Sequence, residues 1–390
     1  MSSQAKGRTL KTLGITMALA LMSVGFLWLL KLAGVLNLRL CLTAFQNKNA
    51  GFALTVLTLA LLPTLGAVRS HILLKRISVV TKFSHVLTAG FIGQAMGQWM
   101  PGSMMIIEVI RFGLVTGMSR PRPNADGISD RDDLPARVGV VFLLDRVLGL
   151  GALFIAGALC AAILYAKGDP LIRHSYPLIA MAATSFFAGA SLLMAPFWIR
   201  NKRLRKFLTG MGGDSFHRNR AGRAKSPFAG VLRTLRGGMN ALGGMSITWR
   251  DLRLPLLISL ALAVLNPLTL YSAAWAIDRP LPILAITTSI PFTLLAILLP
   301  LGIAGFGGQQ AMAVGAFSVF NLNPETVVAA SLVQNVLALT VYTVCGGIAA
   351  GIVSRKLMAI FKGWTGRTQR HERERAQPVG GAGRPDCAKA

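Results

Sequence analysis

Charge-free apolar stretches recur along the chain, each bounded by basic residues, and set the reading of its architecture. About 20 apolar residues cross a bilayer core as a helix. Leu13–Leu30 lies between Lys11 and Lys31, and Gly51–Val68 between Lys48 and Arg69. Val138–Ala166 is long enough to span but carries Asp145 and Arg146; Pro177–Ile199, Leu254–Ile277 and Thr326–Ser354 are clean spans. The first stretch is preceded by basic residues, as a signal peptide would be. Its length and the lack of a small-x-small cleavage site make it an anchor instead.

Two regions do not read as single spans. Phe83–Ile107 is uncharged but broken by Met100-Pro101-Gly102, and Glu108 and Arg111 follow at once. Pro280–Pro324 runs for 45 uncharged residues, interrupted by Pro291, Pro300 and the glycine cluster Leu301–Gly308. Proline removes a helical hydrogen bond and glycine loosens the backbone. Within a membrane such breaks are tolerated where the backbone lines a cavity or is buried in protein. The pattern therefore predicts an all-α polytopic membrane helix bundle with two broken or re-entrant regions, 83–117 and 280–322, arranged as inverted repeats. Spans are expected near 13–33, 51–68, 138–166, 177–199, 254–277 and 326–354. The membrane domain is placed at 13–360, with a tail at 1–12, a basic loop at 200–253 and a disordered tail at 361–390.

Charge then fixes a topology. The 390 residues are 53% apolar and 14% charged, with 41 Lys and Arg against 14 Asp and Glu. Soluble domains carry roughly 25% charged residues, so a soluble enzyme and a disordered chain are both excluded. With each broken region returning to its side of entry and the N-terminus cytoplasmic, 34 basic residues fall inside and 6 outside, leaving Arg146 in the membrane. That is a strong positive-inside bias, and it places both termini in the cytoplasm of a prokaryotic inner membrane. The loop 200–253, with Arg200–Lys206 reading RNKRLRK, suits anionic headgroups; no recognition module accompanies it, so nucleic acid is not an expected partner. Cys41, Cys160, Cys345 and Cys387 form no metal spacing or disulfide framework, and no cofactor is expected.

Ionisable groups inside a membrane cost about 2.5–3.5 kcal/mol each on insertion scales, so they face a cavity or a partner. Glu108 and Arg111 share one helical face; they line a groove or form a weak interfacial ion pair. Asp145 either contacts substrate or neutralises Arg111 or Arg146. Gln334 and Asn335 read as interhelical hydrogen-bond glue or as site residues. Gly346, Gly347 and Gly351 read as close-packing positions. At Gly305–Gly308, followed by Gln309 and Gln310, a helix starting within the membrane would offer N–H groups to a phosphate; a kink without ligand is the alternative. Pro101–Glu108 and Pro300–Gln310 repeat the order break, then polar residue, in the two halves, which points to a transport site between them.

At these residues the chain resembles the transmembrane part of lysylphosphatidylglycerol synthases, flippase-like membrane proteins also described as uncharacterised family 0104. That family shows Pro, a short run to Gly-Glu or Gly-Asp, then Arg three residues after the acid; Pro101, Glu108 and Arg111 match, with Ile107 in place of the glycine. Its acidic-Arg pair early in a span resembles Asp145-Arg146, with Gly149 where a further acid often stands. Its pattern Pro-x-Ser-x-x-Gly-x-Gly-x-Arg-Glu resembles Pro300, Gly302, Gly305 and Gly307, with Gln309 and Gln310 replacing Arg and Glu. The resemblance implies re-entrant helices and movement of a lipid between leaflets. The expected partner is a membrane lipid: an anionic phospholipid, a lipid-linked glycan or an aminoacyl lipid. A second copy of the chain or a lipid-synthesis enzyme is a further partner class. Two other functions stay open: an enzyme acting on a lipid-linked substrate, for which Asp130–Asp133 would hold a divalent ion, and a scaffold that docks partners through its basic loop.

Overall fold

The computed structural model describes residues 28, 31–32, 34, 37–47, 49–77, 79–100, 103–121, 134–167, 176–200, 249–298 and 308–376. Ten helices are defined among them: α1 Leu38–Asn47, α2 Ala50–Arg76, α3 Phe83–Gln98, α4 Ser103–Met118, α5 Leu134–Ala166, α6 Tyr176–Arg200, α7 Trp249–Ala276, α8 Ile283–Leu298, α9 Gly308–Ser318 and α10 Pro324–Ala376. β1 (Val79–Val80) and β2 (Arg120–Pro121) form a two-residue antiparallel pairing, Val79 opposite Pro121. The fold is an all-α membrane bundle, in which α2, α5, α6, α7 and the Pro324–Val353 part of α10 are long and apolar enough to cross a bilayer.

The sequence explains where these helices start and stop. Asn49 caps α2, its Oδ1 accepting from the Phe52 N–H at 3.1 Å, and Lys75 and Arg76 close the last turn, where the helix dipole favours cations. The α2 helix is 27 residues long, about 40 Å at helical rise. It therefore runs seven residues beyond Arg69, which the charge count treats as the start of a cytoplasmic segment. The α10 helix likewise continues to Ala376, whereas disorder is expected from residue 361.

Antiparallel α2 and α7 pack together and are tied at both ends. Arg76 Nη1 sits 3.0 Å from Asp251 Oδ1, and Asn49 Nδ2 donates to Asp278 Oδ1 at 3.2 Å and to the Trp275 carbonyl at 3.2 Å. Their backbones touch near Gly51, where a Cβ would fall 2.6 Å from Ala276 N. Thr55 Oγ1 and Ser272 Oγ bond across the same contact at 2.9 Å. A second close approach seats α10 on α3: a Cβ at Gly346 would lie 2.8 Å from the Phe91 carbonyl oxygen. Gly347 and Gly351 have nothing within 4 Å of a built Cβ, so of the three glycines read as packing positions only Gly346 packs.

The two broken regions are helix pairs, α3 with α4 and α8 with α9, each pair in mutual contact. The helices α3, α4 and α8 have 16 residues and α9 has 11, so none exceeds about 24 Å. Two apolar clusters fill the bundle. One gathers Ile286, Phe317, Val327 and Val333 from the C-terminal helices; the other gathers Leu74, Val86, Val115 and Val138 from α2 to α5.

Candidate functional site

A cavity of about 320 Å³ opens between these halves, walled by α2, α3, α4, α5, α7, α8, α9 and α10. Three arginines and the Asp145 carboxylate line one part of it, and the Glu108 carboxylate bonds two of those arginines. Asp145, 1% exposed, receives Arg69 Nε on Oδ1 at 2.6 Å and Arg69 Nη2 on Oδ2 at 3.0 Å. Arg69 Nη1 also donates to Ser259 Oγ on α7 at 2.8 Å, so one guanidinium ties α2, α5 and α7 together. Arg111 Nη1 donates to Glu108 Oε1 at 2.9 Å, and Nη2 to Ser70 Oγ at 3.1 Å. The Arg111 guanidinium lies 4.9 Å from the centre of the Phe142 ring, a cation–π contact. Arg146 Nη2 bonds to the same Glu108 Oε1.

Glycines make room for this cluster. A Cβ at Gly93 would come within 2.7 Å of Arg111 Cγ, and one at Gly149 within 2.9 Å of Arg69 Nη1. Gly66 and Gly90, which also line the cavity, have nothing within 4 Å of a built Cβ; the absent side chains are open space. Pro63 on α2 lacks the N–H that would bond the Leu59 carbonyl, and Pro267 on α7 lacks the one for Ala263. Leu59, Pro63 and Ala263 all line the cavity, so both helices lose a backbone bond where they wall it.

Elsewhere the polar lining is neutral: Gln94 and Gln98 on α3, Asn266 on α7, Gln309 on α9, and Gln334 and Asn335 on α10. Gln334 Nε2 donates to Thr269 Oγ1 at 2.8 Å, bridging α10 and α7, and Asn335 Nδ2 reaches Gln309 Oε1 at 3.4 Å. The rest is apolar, with Leu62, Leu150, Leu153 and Leu294 among the lining groups.

The structure thus brings Arg111, Asp145, Arg146, Gln309, Gln334 and Asn335 to one cavity, with Glu108 bonded to two of its arginines. It corrects the pairing expected for Asp145: its oxygens bind Arg69, not Arg111 or Arg146. It also corrects the weak interfacial ion pair considered for Glu108 and Arg111, since Arg111 is 7% exposed. Gln310 is fully buried and does not line the cavity. Pro101, Pro300, Gly302, Gly305 and Gly307 lie outside the described residues, as do Asp130–Asp133 and most of the basic loop; Gly308 begins α9. Among the described residues no group of His, Cys, Asp and Glu could hold a metal ion. Reading the sequence missed the wall amides Gln94, Gln98 and Asn266 and, most consequentially, Arg69. Its signal was the uninterrupted helical pattern from Gly51 to Arg76, which places it about 10 Å inside the helix end.

Spanning helices that enclose a charged cavity define a multi-pass membrane protein with a polar interior site. The chain matches the model of the lysylphosphatidylglycerol synthase transmembrane region over residues 13–346. It belongs to that family, and is an integral membrane protein of lipid metabolism or transport. No curated protein and no solved structure matches it.

Proposed function

We propose that the protein is a lipid translocator, moving a phospholipid or lipid-linked headgroup between leaflets while the acyl chains stay in the bilayer. The observation that carries this reading is the cavity itself: four charged side chains line one space among the helices, and Glu108 is bonded to two of them. Charges are held at that depth only against partners or a wet cleft. A volume of about 320 Å³ lies at the small end of ligand sites, which suits a headgroup rather than a whole lipid.

In this reading Arg111 and Arg146 engage the phosphate, Glu108 holds the two guanidiniums at a common distance, and the Arg69–Asp145 pair fixes the wall behind them. Helices too short to cross, α3 with α4 and α8 with α9, enter and return as re-entrant hairpins. Their rearrangement exposes the cavity to each leaflet in turn, and no covalent chemistry is required. The two halves act as inverted repeats around the cavity. Both termini are cytoplasmic in a prokaryotic inner membrane. Removing the buried Arg69 and Arg111 from the inside count leaves the basic bias at 32 to 6, still strongly positive-inside.

The test is reconstitution of the full chain into vesicles carrying a fluorescent phospholipid, with leaflet exchange read by chemical quenching of the outer leaflet. Exchange should be fast with the parent protein and fall to the protein-free rate with Arg111→Ala. Exchange unchanged in Arg111→Ala would overturn the site.

A further inference from the structure

We infer that the cavity is built for an anionic lipid whose phosphate carries an uncharged, hydroxyl-bearing group such as glycerol or a sugar, and that it excludes a cationic headgroup. This rests on the translocator reading above and specifies its substrate.

Charge balance is the first ground. Three guanidiniums face two carboxylates, and both carboxylates are engaged. Asp145 gives both oxygens to Arg69, and Glu108 gives one oxygen to both Arg111 and Arg146. Among the described residues the charged groups that line the cavity are Arg69, Arg111, Asp145 and Arg146, with Glu108 bonded to two of them. One positive charge is therefore unmatched, and a phosphodiester brings the single negative charge that balances it. An ammonium group entering the same space would meet three guanidiniums and one lining carboxylate, Asp145, whose two oxygens are both on Arg69.

The second ground is an orphan polar atom. Among the described residues the Nε of Arg146, which lines the cavity, is buried with no hydrogen-bond partner. It is a donor suited to a phosphate oxygen, and buried polar groups left unpaired are costly. Third, apart from Tyr342 the remaining polar wall is made of amides, Gln94, Gln98, Asn266, Gln309, Gln334 and Asn335. Each amide offers two donors and a carbonyl acceptor without charge, which is the chemistry that recognises hydroxyls. The leucines between them accommodate the first methylenes of the chains, so the phosphate is expected as part of a lipid rather than free.

Calorimetric titration of the full chain in neutral maltoside micelles tests this with four probes. They are dihexanoyl phosphatidylglycerol, dihexanoyl phosphatidylmethanol (same charge, no hydroxyls), the lysyl ester of the first (net positive), and glycerol phosphate (no chains). Phosphatidylglycerol should bind at least about tenfold more tightly than the lysyl ester, a difference of about 1.4 kcal/mol, and severalfold more tightly than phosphatidylmethanol. Glycerol phosphate should bind far more weakly. Gln309→Glu, which adds an acid to the amide wall, should reverse the order of phosphatidylglycerol and its lysyl ester. Arg146→Ala leaves Glu108 paired with Arg111 and should weaken all anionic probes about tenfold. A lysyl ester that binds as well as its parent, or phosphatidylmethanol that does, overturns the inference while the site stands. Glycerol phosphate binding as tightly as the lipid overturns the lipid assignment. Anionic lipids indifferent to Arg146→Ala overturn the translocator site itself.

Discussion

Removing the Asp145 charge tests whether the interior electrostatics hold the bundle together. Asp145→Asn keeps the shape but leaves Arg69, 6% exposed, without its counter-charge. Two unit charges about 4 Å apart at an effective dielectric near 20 attract by about 4 kcal/mol. Breaking a buried pair from one side typically costs about 3–5 kcal/mol, and an uncompensated arginine at depth costs about 2.5–3.5 kcal/mol on insertion scales. Asp145→Asn is therefore expected to lose about 3 kcal/mol. The residual Ser259 bond at 2.8 Å moderates the loss without cancelling it.

A double-mutant cycle makes the argument refutable. Arg69→Met should lose a similar amount, because it strands Asp145. Arg69→Met with Asp145→Leu replaces the pair by apolar groups of similar volume and should lie within about 1 kcal/mol of the parent, since such replacements are often neutral or stabilising. The assay is reversible unfolding in mixed micelles titrated with a denaturing detergent, followed by tryptophan fluorescence. Single losses under about 1 kcal/mol that simply add in the double variant would show that the two side chains do not interact, and the proposed tie between α2, α5 and α7 would fall.

Four further outcomes are expected. Gly346→Ala should destabilise by about 1–3 kcal/mol through overpacking against Phe91, while Gly347→Ala, one residue on and facing open space, should be neutral or gain about 0.5–1 kcal/mol in helix propensity; the same unfolding assay compares them. Gln334→Leu removes the bond to Thr269 and should cost about 0.6 kcal/mol, the usual worth of such bonds between membrane helices, by the same titration. In a background without native cysteines, Arg76→Cys and Asp278→Cys, at opposite ends of the α2–α7 pair, should label with impermeant maleimide from opposite sides, Arg76→Cys from the cytoplasm. Gly90→Leu, whose side chain enters empty cavity space, should abolish leaflet exchange at unchanged stability; exchange at the parent rate would show that the headgroup does not pass this wall.

What the sequence made legible, and what it did not, follows from the range of the interactions. Apolar runs report a helix's solvent, so the long helices α2, α5, α6, α7 and α10 are visible in composition alone. The Pro–Gly interruption at 101–102 falls in sequence between α3 and α4, and the cluster after Pro300 between α8 and α9. Glu108 with Arg111 was readable as a pair because three residues is one helical turn. The partner of Asp145 was not, since Arg69 lies 76 residues away in sequence and no local spacing encodes a contact between helices. The end of an apolar run was taken as the end of a span, yet α2 carries its arginine inside and places its terminus a further two turns on. The role of Gly149 was also hidden: as a missing acid it looks like a loss, but in the structure the Arg69 guanidinium lies against it, 2.9 Å from where a Cβ would stand.

That last contact bears on how the cavity acquired its sign. A third carboxylate at position 149 would stand beside Arg69 and bring the cluster to three acids against three arginines. With glycine there, Arg69 is matched by Asp145 alone, and Glu108 must serve two guanidiniums. Arg111 and Arg69 are held by Ser70 and Ser259 as well as by their acids, and Arg146, 32% exposed, shares Glu108 with Arg111. On the translocator reading, a surplus of one charge at the cavity is a standing cost that an anionic ligand removes on binding. The cost falls on the empty state, so it favours loading of the cavity from either leaflet equally and sets no direction by itself. Any net direction must then come from unequal lipid concentrations or from a partner that removes the product. Exchange measured in symmetric vesicles should accordingly proceed at the same rate inward and outward; a persistent inequality without an imposed gradient would require an energy source and would overturn this passive reading.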